Sequence, residues 1–457
     1  MIVGFEVKRR SSEGPKAAQM SKNPMAASLA MLSRFSSSPI VHKLGLYKPA
    51  QAVTRVAVRE GFRASTGAAR QFKTLQRLVR PERFKKATKP SDLFDLSLTE
   101  EQQMVRDVAQ RFARDVLRPA AYKADEVCAP NEDFESQVAE LGLGQLAIPE
   151  RLGGTANEAS VVTGALLAED LAYGDLGLAL AALAPIGVAN ALVRWGSTEQ
   201  QNKYLTAFAD ARPPRAAVAI AEPRPLFDPN ELRTRATIDG DGFLIKGEKA
   251  LVPLGENAEL LLVAASLVGK GPRVFVVESG TPGVQISKDP ALGARGAALA
   301  RIVFDDVRLP SHAILGDGVD VCDFSELIDL SRIGLCALAV GTAQAVLDYT
   351  IPYCNERVAF GEPVSQRQAV AFMIANIAIE VEAMRLLTWR AASRAEQGLP
   401  FHREAYLARV LCAEKSLEIG TNGVQLLGGH GFIKEHPVER WYRDLMTISV
   451  LEGGLLI

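Results

Sequence analysis

The sequence predicts an α+β fold in which two helical domains flank a smaller all-β domain. Three observations carry this reading. Apolar residues recur at helical spacing over 104–117 and again over 370–387, each stripe backed by charges. Between about 214 and 325 the pattern changes to short apolar runs separated by Gly and Pro turns. Ahead of these stretches lies a strongly basic arm. Residues 1–91 hold 19 Lys and Arg against 4 Asp and Glu, and the remainder holds 33 against 49, so a net +15 and a net −16 combine to the overall −1.

A chain of 457 residues, 48% hydrophobic and 23% charged, has room for two or three domains of a soluble globular protein. No run reaches the roughly 18 uninterrupted apolar residues of a membrane span. Five cysteines (Cys128, Cys322, Cys336, Cys354 and Cys412) are scattered and never spaced as CxxC. Odd number and scatter point to reduced thiols in a reducing compartment, and against a disulfide framework or a zinc site. No HExxH or similar spacing is present, so no metal site is predicted.

Residues 1–92 form the arm. To about Pro49 it is rich in Ser, Ala, Lys and Pro with no sustained period. Over 50–79, Val53, Val56, Phe62, Phe72 and Leu75 recur among arginines, which predicts one or two basic amphipathic helices broken near Gly61 or Gly67. Three readings stay open: a solvated extension packed on the body, a membrane-surface anchor, or an organellar transit peptide. Aromatics are too few and not interleaved for nucleic-acid binding. The expected location is cytoplasmic, membrane-peripheral under the second reading, with the mitochondrial matrix as the alternative.

The helical domain spans 93–213. Thr99-x-x-Gln102 is a capping box opening a helix with Met104, Val105, Val108 and Phe112 on one face, and Pro119 is expected to help end it. Further helices are predicted at 134–143, 159–173, 181–195 and 198–208. The β domain spans 214–325, with a hairpin at 239–242 and strands near 234–237, 243–245, 260–265, 273–278, 284–287 and 300–304. The C-terminal domain, 326–457, reads as long helices near 327–353, 368–395 and 404–427. After them Glu452 follows Ile448, Val450 and Leu451, an apolar setting beside glycines.

Four blocks in this last domain carry chemistry together: Arg357-x-x-Phe360-Gly361-x-Pro363, Gln425-Leu426-Leu427-Gly428-Gly429, Arg443-Asp444, and Glu452-Gly453. In order and spacing they resemble the C-terminal domain of the acyl-CoA dehydrogenases. The resemblance extends over about 93–457 and includes Leu98-Thr99-Glu100-Glu101-Gln102 and the exit from the β domain, 305–310. It implies an N-terminal all-α domain, a middle β-sandwich or barrel, and a C-terminal four-helix bundle. It also implies FAD as cofactor and α,β-desaturation of a fatty acyl-CoA to a trans-2-enoyl-CoA. Glu452 matches the base that takes the α-proton. Arg357, Phe360, Gln368, Gln425, Gly428 and Gly429 match positions that hold the FAD of a neighbouring subunit, which implies a homodimer or homotetramer. Glu222 and Val252 match flavin-seat positions; Asp329, Arg332 and Gly453 match substrate positions. An electron-transfer flavoprotein is the implied acceptor. Some relatives carry the base one residue before the matching arginine, where this chain has Ser331.

Three stretches depart from the family pattern. TEPGAGSD is replaced by 221–228, Ala-Glu-Pro-Arg-Pro-Leu-Phe-Asp, and WIT by Leu251-Val252-Pro253. Pro253 offers neither hydroxyl nor backbone N–H. After Glu452-Gly453 the family has threonine and a further helix, whereas here Gly454-Leu455-Leu456-Ile457 follows. The expectation is a truncated product or a divergent member that closes its bundle differently. The altered seat leaves two functions open: a dehydrogenase with FAD bound more weakly or re-seated, or a non-catalytic partner subunit of a hetero-oligomer.

Overall fold

The capping box forms as the sequence predicts. Thr99 Oγ1 accepts from Gln102 N at 3.1 Å, and Gln102 Oε1 accepts from Thr99 N at 3.1 Å. It opens α1 (Glu100–Phe112) in a computed structural model that describes residues 97–154, 160–210, 212–317, 321–453 and 455–457. The chain divides into two units, Met1–Asp92 and Leu93–Ile457, and every described residue belongs to the second. The amphipathic helices, anchor and transit peptide read from the arm therefore lie outside the described residues.

Pro119 does not end the first helix. One π-type turn, Ala113–Leu117, leads into α2 (Arg118–Val127), and the proline sits in that helix's first turn. The backbone is helical on both sides of it, and the widened turn just before it, in which Arg118 N bonds Ala113 O, accommodates the missing N–H. Next come α3 (Phe134–Glu140), α4 (Leu143–Ala147), α5 (Val161–Gly174), α6 (Leu176–Trp195) and α7 (Thr198–Phe208). Asp175 starts α6 by accepting from Leu178 N at 3.0 Å.

The β domain holds β1 (Ala216–Ala219), β2 (Arg235–Asp239), β3 (Gly242–Val252), β4 (Leu260–Leu267), β5 (Gly271–Glu278), β6 (Val284–Lys288) and β7 (Ala300–Leu309). One edge of β4 pairs with β5; the other pairs in parallel with β1 and then β2, and the sheet continues through β3 and β7 to β6. The sheet closes over itself. Phe243 on β3 and Phe275 on β5 stack edge to face at 5.2 Å, whereas three strand spacings of about 4.8 Å would part them by about 14 Å in a flat sheet. Ala217, Ile245, Val252, Val263, Phe275 and Phe304 share the enclosed core.

Beyond the sheet lie α8 (Phe324–Glu356), a two-strand hairpin of β8 (Val358–Ala359) and β9 (Glu362–Pro363), α9 (Gln368–Glu396), α10 (His402–Leu427) and α11 (Val438–Thr447). α8 is the central column, with α5, α9 and α10 packed around it. Its composition and that of α6 would suit a membrane span, but both helices are largely buried within the fold. An all-round apolar helix is what such a central position requires.

Candidate active site

Glu452 lies in the turn that follows α11. Val450 N and Leu451 N each bond Thr447 O at 3.0 Å, and the Leu451 side chain is buried. Two guanidiniums face the Glu452 carboxylate. Arg332 on α8 approaches with Nε 3.3 Å from Oε2 and Nη2 3.4 Å from Oε1. Arg409 on α10 places Nε 3.5 Å from Oε1. The setting is thus not the purely apolar one that the flanking residues suggest. Arg409 does more: its two Nη groups donate to Ile448 O and, at 2.7 Å, to Leu451 O. It fastens both ends of the turn that carries Glu452. Sequence reasoning missed Arg409, although its signal was present. It falls on the buried face of α10 with Ala405, Ala408 and Cys412, and a charge on such a face needs a partner.

Gly453 has φ +75°, and a Cβ there would stand 2.5 Å from Ile220 Cδ1. Only glycine satisfies both the left-handed backbone and the close approach to the end of β1. Beside this junction a cavity of about 520 Å³ opens between Glu452, Ser449 and Val450 on one side and 221–227, Leu251, Asp289 and Arg301 on the other. That volume is within the usual range for cofactor and substrate sites, about 300–1,000 Å³.

The cavity rests on a buried ion pair. Lys249 Nζ donates to Ile220 O at 2.9 Å and to Glu222 Oε1 at 3.1 Å. Glu222 also accepts from the backbone N–H of Arg233 and Thr234. Burial lowers the Lys249 ammonium to about 8, against the pull of Glu222. Burial alone would raise Glu222; Lys249 and the two N–H groups outweigh it and hold the carboxyl below its usual range. Glu222 therefore borders the cavity while its oxygens brace the loop beneath. Val252 lies one strand position beyond the cavity wall, with its side chain in the sheet core.

Leu226 stands where the family pattern has glycine, yet it keeps φ +51° and is 98% exposed. Leu251, where the pattern has tryptophan, has φ +53°, and its N–H donates to Asp289 Oδ2 at 2.9 Å. Arg224 lies over the Phe227 ring at 5.3 Å. Its buried Nε stands 3.7 Å from Glu222 Oε2 and makes no hydrogen bond among the described residues. That spare hydrogen-bond donor, the room beside it and the shaped backbone fit a flavin ring system with its polar edge.

Asp329 and Arg332 are both near the site, but they do not form a close pair, their nearest atoms being 3.9 Å apart. Arg332 turns to Glu452, and Asp329 bonds His402 Nδ1 at 2.7 Å. Burial raises the Asp329 carboxyl, and His402 works against the shift. Ser331 is buried, with its hydroxyl unpartnered among the described residues.

Arg357, Phe360, Gln368, Gln425, Gly428 and Gly429 do not line the cavity beside Glu452. They belong to the other ends of their helices. Tyr353 OH donates to Leu427 O at 3.2 Å, tying the end of α8 to the end of α10 and so bringing the 357–360 hairpin and the 425–429 loop to one end of the bundle. All six are partly or fully exposed, Phe360 to 95%.

Known proteins share this domain organisation and fold. The family models for the acyl-CoA dehydrogenase N-terminal, middle and C-terminal domains match residues 99–212, 217–307 and 316–455. A probable acyl-CoA dehydrogenase of Bacillus subtilis, YngJ, is 33% identical over 79% of this chain and 96% of its own length. The mitochondrial short-chain specific acyl-CoA dehydrogenase of Homo sapiens is 32% identical over 78% of this chain and 88% of its own. The solved structure of butyryl-CoA dehydrogenase from Megasphaera elsdenii superposes with a TM-score of 0.72 at 28% identity, covering 79% of this chain and 96% of that one. Matched in all three domains and over nearly the full length of such relatives, the chain belongs to the FAD-dependent acyl-CoA dehydrogenase family.

Proposed function

We propose that this protein oxidises an acyl-CoA between Cα and Cβ to the trans-2-enoyl-CoA, with Glu452 as the base that removes the α-proton. The observation that carries this reading is the Glu452 carboxylate itself, held at the mouth of the 520 Å³ cavity by Arg332 and Arg409. A thioester α-proton is a weak acid, so its removal requires a carboxylate in fixed register with the Cα–H bond. Arg332 and Arg409 restrict the carboxylate's rotation, and Arg409 also anchors the turn that leads into it. The backbone at 452–453, immobilised against Ile220, orients the thioester oxygen. Glu222, Arg224, Leu251 and Asp289 border the space for the isoalloxazine. FAD, when bound there, supplies the acceptor for the hydride that leaves Cβ.

The exposed 357–368 and 425–429 segments support a homo-oligomer in which they hold a neighbouring subunit's FAD. Phe372, Ile379 and Leu386 form an exposed apolar stripe along α9, spaced seven residues apart, and Leu417 on α10 is exposed as well. The acceptor in this reading is an electron-transfer flavoprotein, and the basic arm contacts an anionic membrane surface.

The altered 221–228 and 251–253 segments favour the second reading, a non-catalytic partner subunit. Visible absorbance of the purified protein separates the two. A flavin band bleached by an acyl-CoA supports the dehydrogenase, and Glu452→Gln should abolish that bleaching while thermal melting stays unchanged. Bleaching retained in Glu452→Gln would sink the assignment of the base. No flavin band even after reconstitution with FAD would favour the partner subunit.

A further inference from the structure

Arg224 stands where the family pattern has a glycine, so its guanidinium is an addition to the cofactor seat. The side chain lies against the cavity beside Glu452 and is only 14% exposed. Its position is fixed by its own loop. Nη2 donates to Asp228 O at 3.2 Å and to Glu231 O, and the guanidinium lies over the Phe227 ring at 5.3 Å. The Nε edge makes no hydrogen bond among the described residues. The carboxylate it faces, Glu222, is 3.7 Å away and already bonds Lys249 at 3.1 Å.

The ion pairs around the cavity leave a positive surplus. Glu222 has two cations, Lys249 and Arg224. Glu452 also has two, Arg332 and Arg409. At Asp289 the count reverses, because Arg301 serves both Asp289, at 4.0 Å, and Glu248, at 3.1 Å. Two positive surpluses against one negative leave one net positive charge. Much of the remaining lining is apolar, with Ala221, Pro225, Leu226, Phe227, Leu251 and Val450 in it. A charge bordering such a space is screened less than one in water.

Oxidation of an acyl-CoA changes the charge in this seat. Glu452 takes the α-proton and a hydride leaves Cβ for the flavin, so the ring system gains two electrons, one hydrogen and one unit of negative charge. We propose that Arg224 is the charge-tuning residue of the seat: its guanidinium borders the isoalloxazine and favours reduced over oxidised FAD. This rests on the reading of the cavity beside Glu452 as the place of the flavin ring. Base and guanidinium line one cavity, and the hydride acceptor has to lie within reach of the carbon next to the one that Glu452 deprotonates. At an effective dielectric of about 20, a unit charge within about 10 Å of the ring is worth tenfold or more in preference for the reduced form. Partial pairing with Glu222 brings the expectation to about tenfold, which for a two-electron couple is about 30 mV.

The test is the midpoint potential of the FAD-loaded full chain, titrated spectroelectrochemically against free FAD in the same buffer, with the dissociation constant for oxidised FAD measured alongside. Arg224→Gln keeps a donor for the loop carbonyls and removes the charge; Arg224→Lys keeps the charge. Both are checked by thermal melting. The potential of the unaltered chain should lie above that of free FAD. It should fall by about 30 mV in Arg224→Gln, and Arg224→Lys should restore most of the fall. An unchanged potential in folded, flavin-loaded Arg224→Gln overturns the inference whatever happens to FAD affinity, because a loop brace or a phosphate ligand shifts both oxidation states alike. A potential of the unaltered chain at or below that of free FAD overturns it as well, and decides even where neither variant retains flavin. Should the unaltered chain bind no FAD after reconstitution, the reading of the cavity itself is refuted, and the inference with it.

Discussion

Arg409 offers the sharpest test of how the Glu452 turn is held. It is nearly buried, and its Nη groups serve Ile448 O and Leu451 O, two carbonyls that bracket the residues leading to the base. Arg409→Met keeps much of the side-chain volume and removes both bonds. A hydrogen bond from a charged donor contributes about 1.5–3 kcal/mol, so two at the low end amount to about 3 kcal/mol. That is roughly two decades in the balance between a seated and an unseated turn. Glu452 would also lose one of its two cations, leaving Arg332 free to pull the carboxylate toward α8. The assay is steady-state turnover of the FAD-loaded enzyme alongside thermal melting. The expected result is a kcat lower by one to two decades with a smaller change in KM, because the carboxylate is misplaced while the substrate site remains. Arg409→Lys keeps the charge and one carbonyl bond and should recover part of the loss. A folded Arg409→Met enzyme with unchanged kcat would refute the positioning role.

Three further outcomes follow from the same geometry. Leu226→Gly should stabilise the protein by about 1 kcal/mol, because an exposed leucine in left-handed backbone pays strain and gains no packing; urea unfolding measures it, and a loss of stability would count against the strain. Lys249→Met leaves Glu222 buried with only the Arg224 guanidinium, 3.7 Å away, and should cost about 3 kcal/mol, the low end for a broken buried pair. The double variant Lys249→Met/Glu222→Leu should cost less, and equal losses in single and double variants would show that the ion pair is not the cause. Asp444, deeply buried, accepts from Ala294 N at 2.7 Å. Burial, with the nearby Asp175, raises its carboxyl to about 8 in spite of Arg440. Unfolded, it titrates near about 3.9, so the native state retains a proton that the unfolded chain releases. Its contribution is full below the unfolded value and is lost as pH rises through about 8. Asp444→Asn should flatten the fall in stability between those pH values in urea melts, and an unchanged slope would exclude this carboxyl as its source.

The helices were legible because α9 and α10 each bury a face in the bundle, whereas α8, its central column, is a long apolar run. α8, α9 and α10 begin and end within about three residues of the helical runs read from the sequence. β1 was not legible: Ala216–Ala219 is four residues long and buried throughout, so it shows no alternation. The environment of the base was not legible either. Arg332 lies 120 residues before Glu452 in the chain, and only the packing of α8 against α10 brings both arginines to one carboxylate. Local sequence around Glu452 is apolar, and it says nothing about cations delivered from elsewhere.

The cofactor seat shows the reverse relation, in which the sequence changes and the backbone does not follow. Losing the glycines of the family pattern suggests that the loop has to straighten. Yet Leu226, at a glycine position of the pattern, is left-handed, and so is Leu251 at the tryptophan position, at a strain of about 1–3 kcal/mol each for a non-glycine residue. Such strain persists only where the surroundings over-determine the conformation. Here the surroundings are charged groups: the Glu222 carboxylate gathers the N–H groups of Arg233 and Thr234 with Lys249, and Asp289 takes the N–H of Leu251. Glycine makes such a turn permissible, whereas a buried ion pair with saturated acceptors makes it compulsory. The shape of the seat is therefore a property of Glu222, Lys249 and Asp289 more than of its apolar lining. Substitutions at those three positions should disturb FAD retention more than changes at Leu226, which borders the cavity from its open rim and is 98% exposed.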